Sequence, residues 1–273
     1  MTSDLIVQPG KRFAIGSVDP DNLGSWKNRK DEGEQQLADF RKELDTLQEV
    51  LYAEQKHKIL ILFQAMDTAG KDGTIRAVFE GVNPQGVQVS NFKAPSSEEL
   101  EHDYLWRIHS RLPGKGNLVI FNRSQYEDVL IVRVHNWIDE LECKRRFQQI
   151  NDFERMLAEE GTTILKFFLH ISKEEQKNRL LERIDTPEKQ WKFSSSDLPE
   201  RALWDGYMTA YENMLNATST DMAPWYVVPG NHNWYRNLRV AEIIVETLRG
   251  LNMQYPKPSV DLTPFKQQLL SEK

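Results

Sequence analysis

Two charged segments of the sequence each follow a short apolar run and carry residue types that handle phosphate groups. Residues 65–74 read AMDTAGKDGT, and residues 122–128 read NRSQYED. Glycine lets the backbone turn its N–H groups onto anionic oxygens, while lysine and arginine supply positive charge. Carboxylates in the same segments can bind a divalent cation or orient an attacking oxygen. Together these features predict chemistry on phosphorylated substrates.

The first segment approximates the P-loop pattern G-x-x-x-x-G-K-[ST], with Gly70 and Lys71 at its phosphate-binding end. Two positions differ from the pattern: Ala65 replaces the first glycine, and Asp72 replaces the Ser or Thr that would hold magnesium. Phosphate would repel Asp72, so this side chain is expected to point outward or to act through a cation. The phosphate- or nucleotide-binding residues predicted here, besides Lys71, are Ala69, Gly70, Asp72, Gly73 and Thr74.

Asp67 is unusual because a carboxylate inside a phosphate-binding loop is unfavourable unless it binds Mg²⁺ or orients an attacking oxygen. The alternative is that Asp67 and Thr68 only cap the following helix. Its place directly after an apolar strand favours the functional interpretation, so Asp67 is predicted to be a metal ligand and a catalytic residue.

In the second segment, Asn122 stands where P-loop NTPases carry a magnesium-associated carboxylate. It offers a neutral oxygen instead. Arg123 can bind a phosphoryl group through two N–H groups. Glu127 or Asp128 can bind metal or receive a proton. Polar turns of this kind are usually solvated, so the prediction depends on the two segments acting together.

The elements that must position these segments alternate between strands and helices. Residues 58–63 read KILILF, as expected for a strand covered on both faces of a parallel sheet. An α/β fold with a mainly parallel sheet follows, and ligands bind such sheets beyond the carboxyl ends of the strands. Strands are predicted at 58–63, 87–92, 117–121, 163–169 and 225–228; apolar spacing predicts helices near 31–55, 75–82, 96–108, 142–159, 172–184, 199–215 and 238–248.

Composition narrows the function classes further. The 273 residues include 39% hydrophobic and 28% charged residues, which excludes a disordered chain. The net charge of −6 argues against a protein that binds nucleic acid by neutralising phosphates. No apolar run approaches the roughly 20 residues of a membrane helix, and residues 1–20 do not resemble a secretory signal. With its single cysteine, Cys143, the chain is expected to be cytoplasmic.

Three regions are expected along the chain: an extended arm over residues 1–30, a kinase-like domain over 31–255 and a tail over 256–273. Within the domain, residues 185–200 combine Pro and Ser with nearby cations, which predicts a mobile lid that excludes water. The alternative is an ordinary solvated basic loop. The cations assigned to this lid are Arg179, Arg183, Lys189 and Lys192.

Four separated motifs occur in an order that resembles the polyphosphate kinase 2 family. They are residues 64–75, FNRSQYEDVL at 121–130, the stretches 189–192 and 197–204, and APW at 223–225. The resemblance covers about residues 30–250. It implies a thymidylate-kinase-like P-loop fold, a three-layer α/β/α arrangement with a mobile lid. The YED form of the second motif resembles the class III subgroup, whose members tend to accept both AMP and ADP.

The resemblance implies reversible transfer of a phosphoryl group between inorganic polyphosphate and AMP, ADP or ATP, with guanine nucleotides as further candidates. Mg²⁺ is the implied cofactor, with Mn²⁺ as the substitute. Asp67, Lys71 and Arg123 match the family's essential positions, and Glu127 is expected to assist the metal or the nucleotide. Asn122 stands where many members have Asp. No membrane or nucleic-acid partner is implied.

A linear polyphosphate needs several cations in a row, and Arg133 joins Lys71, Arg123 and the lid residues as a candidate. The run 144–146, Lys-Arg-Arg, either borders a channel or forms the solvent face of its helix. The apolar stripe at Leu37, Phe40, Leu44, Leu47 and Leu51 either contacts another subunit, in a dimer or tetramer, or covers its own core. Two other functions stay open: an ATP-dependent nucleotide or metabolite kinase, and a non-catalytic regulator that binds polyphosphate or nucleotide.

Overall fold

Five parallel strands form the centre of the molecule, in the order β2-β3-β1-β4-β5. The computed structural model describes residues 3–272. The strands are β1 (Lys58–Ala65), β2 (Val87–Asn91), β3 (Leu118–Asn122), β4 (Thr162–His170) and β5 (Trp225–Pro229). The three central strands are buried almost throughout, because helices cover both faces of the sheet. The predicted α/β class with a parallel sheet is confirmed.

The helices form two groups on the sheet. Helices α1, α2 and α11 pack on one another, while α5, α6 and α10 form the second group. This arrangement makes the three layers that were predicted. The helices are α1 (Lys30–Glu54), α2 (Lys71–Val78), α3 (Ser97–Leu100), α4 (Trp106–His109), α5 (Ile131–Val134), α6 (Glu140–Glu159), α7 (Lys173–Asp185), α8 (Pro187–Gln190), α9 (Asp197–Ala202), α10 (Trp204–Thr218), α11 (Asn233–Gly250) and α12 (Thr263–Ser271). Short 3₁₀ turns lie at Ser3–Leu5, Ile15–Ser17, Gly24–Trp26 and Gln125–Val129.

The sheet register brings the ends of the central strands together. Asn122, the last residue of β3, pairs with Phe63 of β1 on one side and with Asn91 of β2 on the other. Because all three strands run in the same direction, the segments that follow β1 and β3 leave the sheet at one edge. The two charged segments of the sequence are therefore neighbours.

Two predicted helices are interrupted. The helix expected over 96–108 ends at Leu100 and resumes at Trp106, because the Asp103 carboxylate accepts a hydrogen bond from Leu105 N at 2.9 Å and forms a turn. The Ser96–Glu99 capping box at its start is confirmed. The helix expected to begin at Pro199 is two helices, α9 and α10, which meet at Leu203.

The stripe on α1 packs within its own chain, against α11. Leu44 and Leu51 are fully buried there, so the stripe covers the core and gives no support to a subunit contact. The dimer or tetramer stays a prediction.

The predicted arm packs on the body: Val7 N donates to Trp225 O at 2.9 Å, and Ile15 is buried. The predicted tail includes α12, whose residues are exposed. Residues 1, 2 and 273, at the ends of the arm and the tail, lie outside the described residues. Within residues 3–272, no helix combines the length and apolar character that crossing a membrane requires.

Candidate active site

The first loop, residues 66–70, connects β1 to α2. Its backbone enters the left-handed region at Thr68 (φ +65°) and at Gly70 (φ +97°). Helix α2 begins immediately at Lys71, so the N–H groups of its first turn point back toward the loop without intrahelical partners. The Lys71 side chain folds over the loop, and its Nζ donates to Ala65 O at 3.0 Å. This geometry is that of an anion-binding loop.

The second loop, residues 123–128, begins where β3 ends. Arg123 N donates to Phe63 O at 3.2 Å, so the parallel pairing carries Arg123 to the end of β1. Arg123 itself has φ +64°, a conformation that non-glycine residues rarely adopt and that surrounding structure must hold. The Ser124 side chain then accepts from Tyr126 N and starts the 3₁₀ turn that carries Glu127.

Side chains join the two loops. Arg123 Nη2 donates to Asp67 Oδ1 at 2.9 Å, and both side chains remain about two-fifths exposed. With the Gln64 amide oriented to satisfy both of its atoms, its nitrogen donates to Glu127 Oε1 at 2.9 Å and its oxygen accepts from Ser124 Oγ at 3.1 Å. The structure thus brings together the four residues predicted to be catalytic: Asp67, Lys71, Arg123 and Glu127.

The charges of this cluster influence one another. Burial lowers the pKa of Lys71, and the positive charge of Arg123 lowers it further. Burial raises the pKa of Glu127, although Arg123 and Lys71 oppose that shift. For Arg123, burial would lower the pKa, but Glu127 and Asp67 outweigh it and raise the value. Two cations and two carboxylates therefore share one partly buried site at the sheet edge, where they can bind an anion and a divalent cation together.

The two residues that depart from the P-loop pattern are partners. Asn122 Nδ2 donates to Asp72 Oδ1 in a short contact. Asp72 is exposed, in line with one of the two expectations for it, and its carboxylate is also held by Asn122. An ordinary P-loop NTPase has the hydroxyl on the loop and the carboxylate on the neighbouring strand. Here the Asp72 carboxylate in the first turn of α2 replaces the hydroxyl, and the Asn122 amide at the end of β3 replaces the carboxylate. Both positions therefore still carry an oxygen donor.

The remaining predicted residues of the first loop lie in different environments. Ala69 is fully buried and contributes its backbone only. Gly73 is exposed in the first turn of α2. Thr74 is buried, and its hydroxyl has no hydrogen-bond partner among the described residues.

Behind the first loop lie residues that the sequence pattern misplaced or missed. Arg179 was assigned to the lid, but its Nη1 donates to Thr68 O at 3.2 Å and to Ala69 O at 3.0 Å. Arg236, from α11, donates to Ala69 O at 2.9 Å. Gln176 donates to Asp67 O at 3.1 Å. The only sequence signal was that Gln176 and Arg179 lie in the helix predicted over 172–184 and that Arg236 lies just before the helix predicted over 238–248. Neither position reveals what these side chains contact.

A buried polar cluster supports the second loop. Glu154, on α6, accepts from Tyr126 Oη at 2.7 Å and from Gln125 Nε2 at 3.0 Å. Lys166, on β4, donates to Glu154 at 2.6 Å and to Tyr126 Oη at 2.9 Å. All four side chains are at most 2% exposed. The cluster fixes the turn between Arg123 and Glu127, and Lys166 in an apolar strand was the signal that could have revealed it.

Three cations predicted to belong to the lid contact residues of the lid segment or of the neighbouring helix α7. Lys189 forms a salt bridge with Glu182, Arg183 lies 3.8 Å from Asp197, and Lys192 lies over the Trp191 ring at 5.1 Å. The segment contains the short helices α8 and α9. No hydrogen bond or salt bridge between described residues joins these three cations to either loop, so their assignment to phosphate stays a prediction.

Arg133 and the basic run on α6 complete the predicted cations. Arg133 pairs with Glu140 at 2.9 Å, and among the described residues it has no bond to either loop. Arg146 is not on a solvent face: it donates to Asp128 O at 2.9 Å. Lys144 is exposed.

Two cavities, of about 490 and 300 Å³, both have Arg107 in their walls, and the smaller one borders the second loop at Asp128. Arg107 is 7% exposed, and Asp128, 3.8 Å away, lines the smaller cavity. Burial raises the pKa of Asp128 to about 6, against the opposing effect of Arg107 and Arg146. The smaller cavity therefore adjoins the end of the second loop.

Known proteins are similar to this chain in sequence and in fold. A family model described as Polyphosphate kinase 2 (PPK2) matches residues 27–256. The AMP/ADP-polyphosphate phosphotransferase of Meiothermus ruber is 57% identical over 252 residues, covering 92% of this chain and 94% of that protein. The ADP-polyphosphate phosphotransferase of Rhodopseudomonas palustris is 44% identical, with 95% and 98% covered.

A solved structure supports the same relationship. The crystal structure of Polyphosphate Kinase 2 from Arthrobacter aurescens TC1 matches with a TM-score of 0.95 and 45% identity, covering 98% of this chain and 96% of that one. The chain therefore belongs to the polyphosphate kinase 2 family, as the resemblance of its motifs predicted.

Proposed function

We propose that this protein transfers the terminal phosphoryl group of inorganic polyphosphate to AMP, ADP or both, in a reversible and metal-dependent reaction. The observation that carries the proposal is the junction of the two loops. Asp67 and Arg123 pair at 2.9 Å within electrostatic range of Lys71 and Glu127. The names of the relatives from Meiothermus ruber and Rhodopseudomonas palustris support this substrate class.

The four residues have distinct parts in this mechanism. Phosphoryl transfer spreads negative charge over the equatorial oxygens of the transferred group, so fixed cations stabilise the transition state. Lys71 and Arg123 supply those cations. Asp67 orients the attacking phosphate or binds the metal, and Glu127 assists at the metal or nucleotide end. The reaction is a direct in-line displacement that needs no covalent intermediate with the protein.

The donor set fits Mg²⁺, with Mn²⁺ as the substitute. Within residues 3–272, no three His, Cys, Asp or Glu side chains form a ready-made metal cage. Magnesium typically uses one or two carboxylates together with substrate phosphates and waters, rather than a cage of protein ligands alone. Asp67 is the proposed ligand, and the exposed Asp72, which contacts Asn122 from the first turn of α2, is the second carboxylate nearby. When bound, the ion neutralises charge on the phosphate oxygens.

Arg133, Arg183, Lys189 and Lys192 are proposed to bind the polyphosphate chain or the nucleotide phosphates. Their present partners are carboxylates, a carbonyl or an aromatic ring, and most of these contacts are at the surface. Exposed ion pairs contribute only about 0–1 kcal/mol, so a polyanion can replace them at little cost.

The test is a coupled assay with AMP or ADP as acceptor, long-chain polyphosphate and Mg²⁺, and no added ATP. The expected result is formation of the next higher nucleotide. Asp67→Ala and Lys71→Ala are expected to lower turnover by about 10²–10³, because each removes one electrostatic contact to the transition state. Lys144→Ala is the matched control, because this lysine is exposed on α6 and, among the described residues, forms no hydrogen bond or salt bridge with either loop.

The outcomes separate the proposal from its alternatives. Activity with ATP as donor and none with polyphosphate would replace it with an ATP-dependent kinase. Tight polyphosphate binding without turnover, unaffected by Asp67→Ala, would indicate a non-catalytic regulator.

A further inference from the structure

Three consecutive carbonyl groups of the first loop, those of residues 67–69, are bonded by side chains behind it. Asp67 O accepts from Gln176, Thr68 O accepts from Arg179, and Ala69 O accepts from both Arg179 and Arg236. In a trans peptide the N–H group points opposite to the carbonyl of the same peptide. The two arginines at Ala69 O therefore direct the Gly70 N–H to the opposite side of the loop.

Arg236 carries a buried charge with neutral partners. It is 2% exposed, and besides Ala69 O it donates to Asn233 Oδ1 at 2.8 Å and to Asn237 Oδ1 at 3.1 Å. Arg179, the other arginine here, has Glu175 as its partner at 2.7 Å. Among residues 3–272, no carboxylate lies within salt-bridge distance of Arg236. Two guanidinium groups thus share one carboxylate, which leaves one positive charge without a counter-ion in the protein.

A buried charge without a counter-ion is strongly unfavourable, unless an anion binds nearby. The pKa of Arg236 reflects this: burial, and then the charge of Arg179, lower it to about 9, so the group is still protonated at neutral pH. Only one backbone segment separates this charge from the front of the loop. A Cβ built at Gly70 would lie 2.4 Å from Arg236 Nη1, which shows that guanidinium and loop are in direct contact.

We propose that Arg236 is a positioning residue of the phosphate-binding loop, which holds the Ala69–Gly70 peptide with its N–H toward the phosphate chain and places an uncompensated positive charge behind it. The anion is a linear phosphate chain, either polyphosphate or the phosphates of a nucleotide. The proposal rests on the proposed function for its choice of ligand. It also explains why the position before Lys71 is a glycine, because any side chain there would displace the guanidinium.

The experiment measures the affinity of the full chain for sodium tripolyphosphate by calorimetry, for wild type and three variants. Arg236→Gln keeps a hydrogen-bond donor for Ala69 O but removes the charge. Arg236→Lys keeps the charge but loses the planar fork. Arg239→Gln is the matched control: Arg239 lies one turn later on α11 and is 5% exposed, but it contacts Asp4 at 3.0 Å and Glu242 at 3.2 Å, not the loop.

Arg236→Gln is expected to weaken tripolyphosphate binding by about 10- to 100-fold. This is the effect of removing residues that orient the protein ligands of a metal site, which act in the same indirect way. Arg236→Lys is expected to recover most of that loss, and Arg239→Gln to bind as wild type does. In the transfer assay, Arg236→Gln should raise the KM of the substrate on this loop more than it lowers kcat. A purely structural residue would instead reduce the active fraction and leave KM unchanged.

The proposal is overturned if Arg236→Gln binds tripolyphosphate as wild type does, if Arg236→Lys is as weak as Arg236→Gln, or if Arg239→Gln loses affinity equally. Should Arg236→Gln not fold, Arg236→Met provides the neutral variant, because apolar replacement of a buried charge is often tolerated. A different result would refute the proposed function. Wild-type protein that binds tripolyphosphate but transfers no phosphoryl group would refute the activity and leave the part played by Arg236 intact.

Discussion

Replacing Gly70 with alanine tests the geometry of the first loop most directly. Gly70 has φ +97°, where an L-residue costs about 1–2 kcal/mol. The new Cβ would also lie 2.4 Å from Arg236 Nη1, and overpacking of this kind costs about 1–3 kcal/mol. We expect Gly70→Ala to lower the free energy of unfolding by about 2–5 kcal/mol. We also expect kcat/KM for polyphosphate-dependent transfer to fall by about 10²-fold, because small displacements at a reacting centre have effects of that size.

Gly161→Ala is the matched control for this substitution. Gly161 has φ +83°, but a Cβ there would have no neighbour within 4 Å. It should therefore show only the backbone cost of about 1–2 kcal/mol in urea unfolding, with unchanged activity. A double-mutant cycle with Arg236→Ala isolates the collision, because Gly70→Ala should cost less once the guanidinium is absent. If Gly70→Ala is no more destabilising than Gly161→Ala and retains full activity, the loop does not have the contacts described here.

Three further predictions follow from the site. Chelation with EDTA should abolish transfer in the coupled assay and Mg²⁺ should restore it; full activity in EDTA would refute the metal requirement. Burial raises the pKa of Glu127, so this carboxylate takes up a proton at a higher pH than an ordinary glutamate does. Activity that depends on its ionised form should therefore begin to fall at that higher pH as the solution is acidified. Glu127→Gln should remove this acidic limb from the pH–kcat profile. Burial raises the pKa of Asp128 to about 6 from an ordinary 3.8, so the folded state loses about 2 kcal/mol of stability between pH 4 and pH 8 through this group. Asp128→Asn should therefore gain about 2 kcal/mol relative to wild type over that pH range in urea unfolding, and a constant difference would contradict the shift.

The central sheet and the meeting of the two loops could be predicted from the sequence because both depend on local patterns. Apolar runs such as 58–63 mark buried strands, and parallel strands leave the sheet at a common edge. Asp67 and Arg123, 56 residues apart, were expected to be neighbours for that reason, and they pair at 2.9 Å. The Ser96–Glu99 capping box was predicted correctly because both of its hydrogen bonds are local.

Contacts between distant side chains could not be predicted in the same way. Arg236 is 167 residues from Ala69, and periodicity shows only that α11 has a buried face. Arg179 was assigned to the lid because it lies near other cations in the sequence, whereas α7 directs it at the first loop. Asp72 and Asn122 each failed the P-loop pattern when considered alone. Their hydrogen bond, which joins the first turn of α2 to the end of β3, accounts for both departures at once.

The two loops and the proposed lid are held by different kinds of contact, and this difference determines which of them can move when a ligand binds. The loops are fixed from behind by buried groups: Arg179 and Arg236 under the first, and Glu154 with Lys166 under the second. Removing one partner of such a buried pair is costly, so the loops keep their geometry when no ligand is bound. Two cations of the proposed lid instead have exposed partners: Lys189 pairs with Glu182, and Lys192 lies over the Trp191 ring. Exposed contacts of this kind contribute little and exchange readily. A phosphate chain can therefore recruit the lid without disturbing the loops that position Lys71 and Arg123.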